Sequence, residues 1–338
     1  MKLLVEEEIM VSWWGDIHSP QVSVLCTTYN QEDYIEQAIR SFLMQRTSFP
    51  FEIIIHDDAS TDKTKEIIEK YCKLYPQIIR PIYQSENQYS QGRLPMVVAA
   101  ESALGQYLAL CEGDDYWIDE KKLENQYNLI KTDANISMIV SPGRLLCEGK
   151  LLKSLHGYHG GDIKVVTAQD VLDVTGQFSP TASYFLKKNC LIEARTLFVH
   201  APVGDTFIEL YCAVNGRLVY SPEIGSVYRL AAKGSWSLAM ANGGVDRQVQ
   251  HVTKMVKSIE LSRNVPGFEA LDWSKKLASC YYGLAVSSIK NRDMRFFMDS
   301  IVKSRSYSDI HLKQKVLFGF RNIIYLFFKT LDLVRKRH

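Results

Sequence analysis

Apolar positions follow two rhythms along the first 130 residues. The apolar runs QVSVLCTTYN (21–30), FEIIIHDDASTDKT (51–64), QIIRPIYQ (77–84) and QYLALC (106–111) each open as strands and break into polar residues. Between the first two, residues 32–45 set Ile35, Ala38, Ile39, Phe42 and Leu43 at helical spacing. Ser60, Thr61 and Asp62 offer N-caps for a helix over 63–74. MVVAAESALG (96–105) reads as a short helix ended by Gly105. Strands alternating with helices over short connections predict a largely parallel sheet with helices on both faces.

Beyond 136 the rhythm changes. ISMIVSPG and GRLLCEGKLLKSL read as strands, HGYHGGD (156–162) as a loop, TAQDVLDVTG as a helix and TASYFLK (181–187) as a strand. GDTFIELYCAVNG (204–216) is a helix between glycines, and RLVYSPEIGSVYRL returns in β form. From about 245 the chain reads helical apart from NVPGF at 264–268. The expected organisation is a domain over 1–235, with halves 20–130 and 131–235, followed by a helical region over 245–338.

Composition narrows the classes. The 338 residues are 46% hydrophobic and 23% charged, as in ordinary globular chains. A net charge of +2 gives no electrostatic case for nucleic acid. Seven cysteines without a C-x-x-C pair suit a reduced, cytoplasmic compartment, and Cys26 and Cys111 read as small core residues. The opening MKLLVEEEIM puts three glutamates where a secretion leader needs an apolar core, so no leader is expected. No apolar run reaches the ~18–20 residues of a membrane span.

The chemistry gathers where strands end, since ligands of such sheets bind beyond the carboxyl ends of the strands. Thr27, Thr28 and Asn30 close one strand, Asp57 and Asp58 a second, and Asp114 and Asp115 a third. Neighbouring carboxylates at the end of a buried strand repel each other and are costly to desolvate. Mg²⁺ or Mn²⁺, held by one or two carboxylates and by substrate phosphates, would offset that cost and stabilise a departing diphosphate. Asp57 or Asp58 can accept from a uracil N3–H or from ribose hydroxyls. The plainer reading makes Asp114 a turn cap, Asp115 the start of a surface loop, and Asp58, Ser60 and Asp62 caps of the next helix.

VSVLCTTYNQEDYIEQAIRSFLMQ, FEIIIHDDASTDKTKEII and ALCEGDDYWIDEKKLENQ together resemble the family 2 glycosyltransferases, over about residues 20–235. The resemblance implies a GT-A fold, with a Rossmann-like nucleotide half, a mixed sheet and an acceptor half, here followed by a helical appendage. It implies an inverting transfer from a nucleotide-diphosphate sugar, UDP-sugars foremost, to a hydroxyl of a cell-surface glycan or lipid-linked acceptor. Thr27, Tyr29 and Asn30 would then line the nucleotide site with Asp57, Asp58 and Arg93. Asp114 and Asp115 match the family's Asp-x-Asp-like element, with Asp115 the first choice as metal ligand. Asp205, opening VGDTFIELY, takes the place of the general base, where a helix N-terminus keeps it ionised; a plain N-cap is its other reading. YRLAAKGSWS departs from the family's Tyr-Arg-x-His pattern, with Ala231 where the histidine would stand. His156 and His159 read first as surface loop residues, with a stand-in for that ligand as their other reading, and Arg229 or Lys233 offers a compensating charge.

A sugar nucleotidyltransferase would need a glycine-rich triphosphate loop after the first strand, which TTYNQEDY lacks. A non-catalytic nucleotide-sugar-binding protein is the other alternative, favoured by Ala231. The end of the chain, VLFGFRNIIYLFFKTLDLVRKRH, crowds apolar residues at 316–328 and basic ones at 335–337. Over 312–338 it predicts either a helix lying on an anionic membrane surface or one docked on the core or on a second copy in a homodimer.

Overall fold

The computed structural model describes residues 3–198 and 200–335, with side chains through Leu331. The described residues gather into two compact units: one of residues 3–167, 178–198 and 204–238, the other of 168–177, 200–203 and 239–335.

In the first unit the strands are β1 (Val22–Thr28), β2 (Phe51–Asp57), β3 (Ile79–Tyr83), β4 (Tyr107–Leu110), β5 (Tyr116–Trp117) and β6 (Ile136–Val140). They continue with β7 (Gly143–Cys147), β8 (Lys150–His156), β9 (Lys164–Val166), β10 (Phe185–Lys187), β11 (Arg217–Tyr220) and β12 (Ser226–Arg229). Eight of them form one sheet in the order β3-β2-β1-β4-β10-β6-β11-β9, and four form a second in the order β5-β12-β7-β8. From β3 to β4 every pairing is parallel. β10 runs antiparallel to both β4 and β6, so the sheet is mixed. The chain enters β10 through a 3₁₀ turn at Thr181–Ser183, not through a crossover helix. TASYFLK is therefore strand only over Phe185–Lys187.

The continuous apolar runs of β1 and β2 are buried along both faces, as parallel strands covered by helices must be. The helix Ile35–Leu43 turns Ile35, Ala38, Ile39, Phe42 and Leu43 into that core, all fully buried. It starts three residues later than its spacing predicts, because Gln31 to Tyr34 form a turn first. The helix Thr64–Leu74 begins where Asp62 Oδ1 accepts the Thr64 N–H at 2.9 Å. Apolar rhythm did not reveal the helices Glu6–Met10, Lys122–Lys131 and Lys188–Phe198.

The second unit is helical: Gly244–Ser262, Ser274–Lys290, Phe297–Tyr307, Leu312–Gly319 and Arg321–Arg335. NVPGF separates the first two of these. Its cores are small, one around Val245, Val252 and Leu284, another around Ala285, Phe297 and Ile301.

One polar knot sets the height of β4 against β1 and β2. Glu52, buried at the foot of β2, accepts from Ser23 Oγ and from the Leu104 N–H, both at 2.6 Å, and pairs with Arg80. Ser23 Oγ in turn accepts from the Gly105 N–H at 2.9 Å. A Cβ at Gly105 would lie 2.6 Å from the Ser23 backbone nitrogen, so only glycine fits this approach. Glu52→Ala strands these donors. We expect a stability loss of about 2–4 kcal/mol, given ~1–3 kcal/mol for each buried unsatisfied group. Urea denaturation measures it, and a loss below about 1 kcal/mol would mean that water replaces the carboxylate.

Candidate active site

Parallel register lines up the strand ends: Thr28 pairs with Asp57, and Leu25 with both Ile54 and Leu110. Past β4 the chain keeps following β1, the Cys111 N–H reaching Leu25 O at 3.1 Å and the Gly113 N–H reaching Thr27 O at 3.0 Å. A Cβ on Gly113 would meet Gln31 Oε1 at 2.5 Å and Thr28 Oγ1 at 2.8 Å. Glycine at this position lets the acidic turn press against the end of β1. Gln31 also accepts from Thr28 Oγ1 at 2.8 Å and hydrogen-bonds the Asp114 side chain.

Asp114 and Asp115 are both buried, Asp115 at 2% exposure. The first positive charge they meet belongs to the protein. β12 pairs with β5, Ser226 against Trp117 and Val227 against Tyr116, which brings Arg229 onto the turn. The Arg229 N–H donates to Asp115 Oδ1 at 2.8 Å, its Nε to the Asp114 carbonyl at 2.9 Å and its Nη2 to Gln37 Oε1 at 2.9 Å. Its guanidinium lies 4.6 Å from the Tyr34 ring centre and 5.7 Å from that of Tyr116.

One guanidinium does not balance the carboxyls around it. Burial, with the charges of Asp114 and Glu112, holds Asp115 well above the ordinary carboxylate range. Burial also raises Asp114. Glu112 is pushed up to about 8 by burial and by the charges of Asp114 and Asp205. That coupling brings Asp205, first residue of the helix Asp205–Val214, into the electrostatic field of the turn. One turn along the same helix, Glu209 is fully buried, its Oε1 accepting from Tyr184 OH at 2.6 Å and the Ser179 N–H at 3.1 Å. That engagement makes Glu209 a structural carboxylate.

The β2 end is organised differently. Asp57 Oδ1 accepts from Ser60 Oγ, and Ser60 Oγ accepts the Asn30 N–H at 2.9 Å. Asn30 Oδ1 takes the Thr61 N–H at 2.7 Å, so the loops after β1 and β2 are tied together. Both oxygens of Asp58 accept backbone N–H groups, from Gln88 at 2.7 Å and Tyr89 at 3.0 Å. Arg93 Nη1 donates to Gln88 Oε1 at 2.7 Å, so Asp58 holds the loop on which Arg93 stands. Thr27 is half-buried at the end of β1 and Tyr29 is exposed.

Ala231 sits at φ +55, a left-handed conformation unusual for alanine. His159 is stacked on Phe178 with ring centres 3.8 Å apart, its Nε2 against Phe178 O at 2.8 Å, and so is part of the packing. His156 lies edge-on to Tyr228 at 5.1 Å. Lys233 points to solvent, with Nζ 3.9 Å from Asp33. Arg229 is thus the cation bonded to the turn. Gln31 and Gln37 did not stand out in the sequence. Gln31 had one signal, its position directly after TTYN, and no local pattern marks Gln37.

The donor set fits a divalent cation. Asp115 Oδ2 is buried with no hydrogen-bond partner, in a turn with surplus negative charge. Hard oxygen ligands of this kind suit Mg²⁺ or Mn²⁺. Among the described residues no group of three or more His, Cys, Asp or Glu side chains is placed to hold a metal. The protein would contribute one or two ligands and leave the others to a bound phosphate.

Residues 23–181 match the model of glycosyl transferase family 2. An uncharacterised protein of Mycobacterium tuberculosis is 34% identical over 223 residues, 64% of this chain and 61% of that protein. The chain thus spans about three-fifths of the length of the first curated relatives it matches. A Bacillus subtilis protein named for teichuronic acid biosynthesis, the glycosyltransferase TuaG, is 40% identical over 118 residues, 35% of this chain and 42% of that one. Among solved structures, S. aureus TarS 1–349 in complex with UDP-GlcNAc superposes with a TM-score of 0.58 at 16% identity, covering 91% of this chain and 89% of that one. The mannosyltransferase PcManGT from Pyrobaculum calidifontis, in complex with GDP-Man and Mn²⁺, gives 0.52 at 17% identity, covering 92% and 83%. The fold is that of the GT-A glycosyltransferases, and residues 23–181 form a region similar to glycosyl transferase family 2.

Proposed function

We propose that the chain is an inverting glycosyltransferase that moves a sugar from a nucleotide-diphosphate donor, UDP-sugars foremost, to a hydroxyl of a cell-surface glycan or lipid-linked acceptor. The observation that carries this reading is the buried, under-neutralised acidic turn, Glu112 to Asp115, with Asp205 coupled to it from another helix. The complexes of TarS with UDP-GlcNAc and of PcManGT with GDP-Man and Mn²⁺ support the donor class and the metal.

In this reading Thr27, Tyr29, Asn30 and Asp57 bind the base and ribose, and Asp58 acts by holding the loop that presents Arg93. Asp115, with Asp114, holds Mn²⁺ or Mg²⁺, which when bound supplies Lewis-acid stabilisation to the leaving diphosphate. Arg229 keeps the two aspartates in register from behind. Asp205 accepts the proton of the acceptor hydroxyl. The oxygen so freed bonds to the anomeric carbon from the face opposite the diphosphate. The anomeric C–O bond breaks, its electron pair leaves on the diphosphate, and the configuration inverts.

Asp205→Asn keeps the size of the side chain and its capacity to cap. We expect unchanged melting temperature and UDP affinity with a loss of at least ~10²-fold in kcat, the lower range for a general base. Single-turnover transfer beside a UDP titration measures both, and near-normal transfer would assign the base elsewhere. Asp115→Asn should keep the fold, abolish turnover and lack the Mn²⁺-dependent rise in melting temperature that we expect of the wild type with UDP, because an amide is a poor ligand for a hard cation. Full wild-type activity in excess EDTA would rule the metal out. Asp57→Ala should weaken UDP binding by about 1–3 kcal/mol, the range for a hydrogen bond to a charged group. Calorimetry showing wild-type affinity would leave Asp57 as a tie between loops.

A further inference from the structure

We propose that the C-terminal helices form a surface that binds an anionic lipid bilayer, independently of the reaction above. Leu317, Phe318, Ile324 and Tyr325 face the second unit's own core, around Phe297 and Ile301. The opposite side carries a second apolar stripe that the fold does not use. Leu312 is 74% exposed, Ile323 65% and Phe327 59%, and Val316, Phe320 and Leu326 are exposed beside them. Leu312 and Val316 share one face of the helix Leu312–Gly319, and Ile323 and Phe327 share one face of the helix Arg321–Arg335. Among the described residues no helix is long and apolar enough to cross a membrane, so this surface suits a helix lying along one.

Charge selects the occupant. Residues 311–338 contain seven Lys or Arg and one Asp, whereas the other 310 residues contain 33 Lys or Arg and 37 Asp or Glu. The chain's positive charge is thus concentrated on the segment with the unused stripe, on a body that is otherwise net acidic. Lys313, Lys315 and Lys329 are exposed on these helices, and Arg335, Lys336 and Arg337 follow in sequence, of which 336–338 lie outside the described residues. Two such segments brought together as a dimer would repel each other. An anionic bilayer accepts the apolar stripe and the basic side chains at once.

The test is co-sedimentation of the full chain with vesicles of phosphatidylcholine, with and without phosphatidylglycerol. We expect binding to the mixed vesicles at least about tenfold stronger than to the neutral ones, falling in high salt. The double substitution Ile323→Gln and Phe327→Gln should lower it by about tenfold or more with an unchanged circular dichroism spectrum. Equal binding to both vesicle types, or none to either, overturns the proposal and needs no variant. So does sedimentation equilibrium in which the wild type is a dimer, the glutamine variant a monomer, and lipid has no effect. Should the double variant misfold, Leu312→Gln, on the exposed first turn, takes its place with the same expected direction.

Discussion

The site depends on the contact between Arg229 and the acidic turn. Asp114 and Asp115 are buried at the end of a strand, where two unpaired carboxylates could not both remain charged. Arg229 reaches them from a strand more than a hundred residues later and bonds the backbone of one and, through its own N–H, the side chain of the other. The turn leads from β4 of the large sheet into β5 of the small one, against which β12 lies. The Arg229 contact balances only part of the charge around the turn.

The remaining parts keep that turn at the right height. At the foot of the sheet, the buried Glu52 ties β2 to Ser23 of β1 and to the Leu104 N–H just ahead of β4. At the head, Gly113 allows the turn to lie against Gln31 and Thr28. The strands between pair in register, Leu25 against both Ile54 and Leu110, so anchoring their feet also positions the polar residues beyond their heads. Asp58 does comparable work for the neighbouring loop by holding two backbone donors with one carboxylate.

Regularity decided how much was legible. The first three strands and their two helices have uninterrupted periods, and β1, β2 and the helix Ile35–Leu43 came out where the pattern set them, apart from three residues where a turn competes with the helix. β5, two residues long, and β10, three residues after a 3₁₀ turn, are too short to carry a period. Glu209 is a carboxylate one helical turn from Asp205, and in sequence the two are equivalent. Only packing separates them, by enclosing Glu209 under Tyr184 and exposing Asp205 to the field of Glu112.

The sequence by itself determined that this is an alternating strand–helix chain with polar groups at three strand ends, because burial on both faces writes itself as an apolar run and the loops beyond as breaks in it. The same breaks lie in the stretch, residues 23–181, that matches the model of glycosyl transferase family 2. Tertiary structure alone decided which charges meet. Arg229 and Lys233 lie four residues apart, yet one is bonded into the acidic turn and the other extends into solvent. Asp57 and Asp58 are adjacent, yet one ties two loops through Ser60 and the other holds a third by its backbone. Electrostatic and hydrogen-bond partners are set by distance in space, which between Gln37 and Arg229 spans 192 positions in the chain.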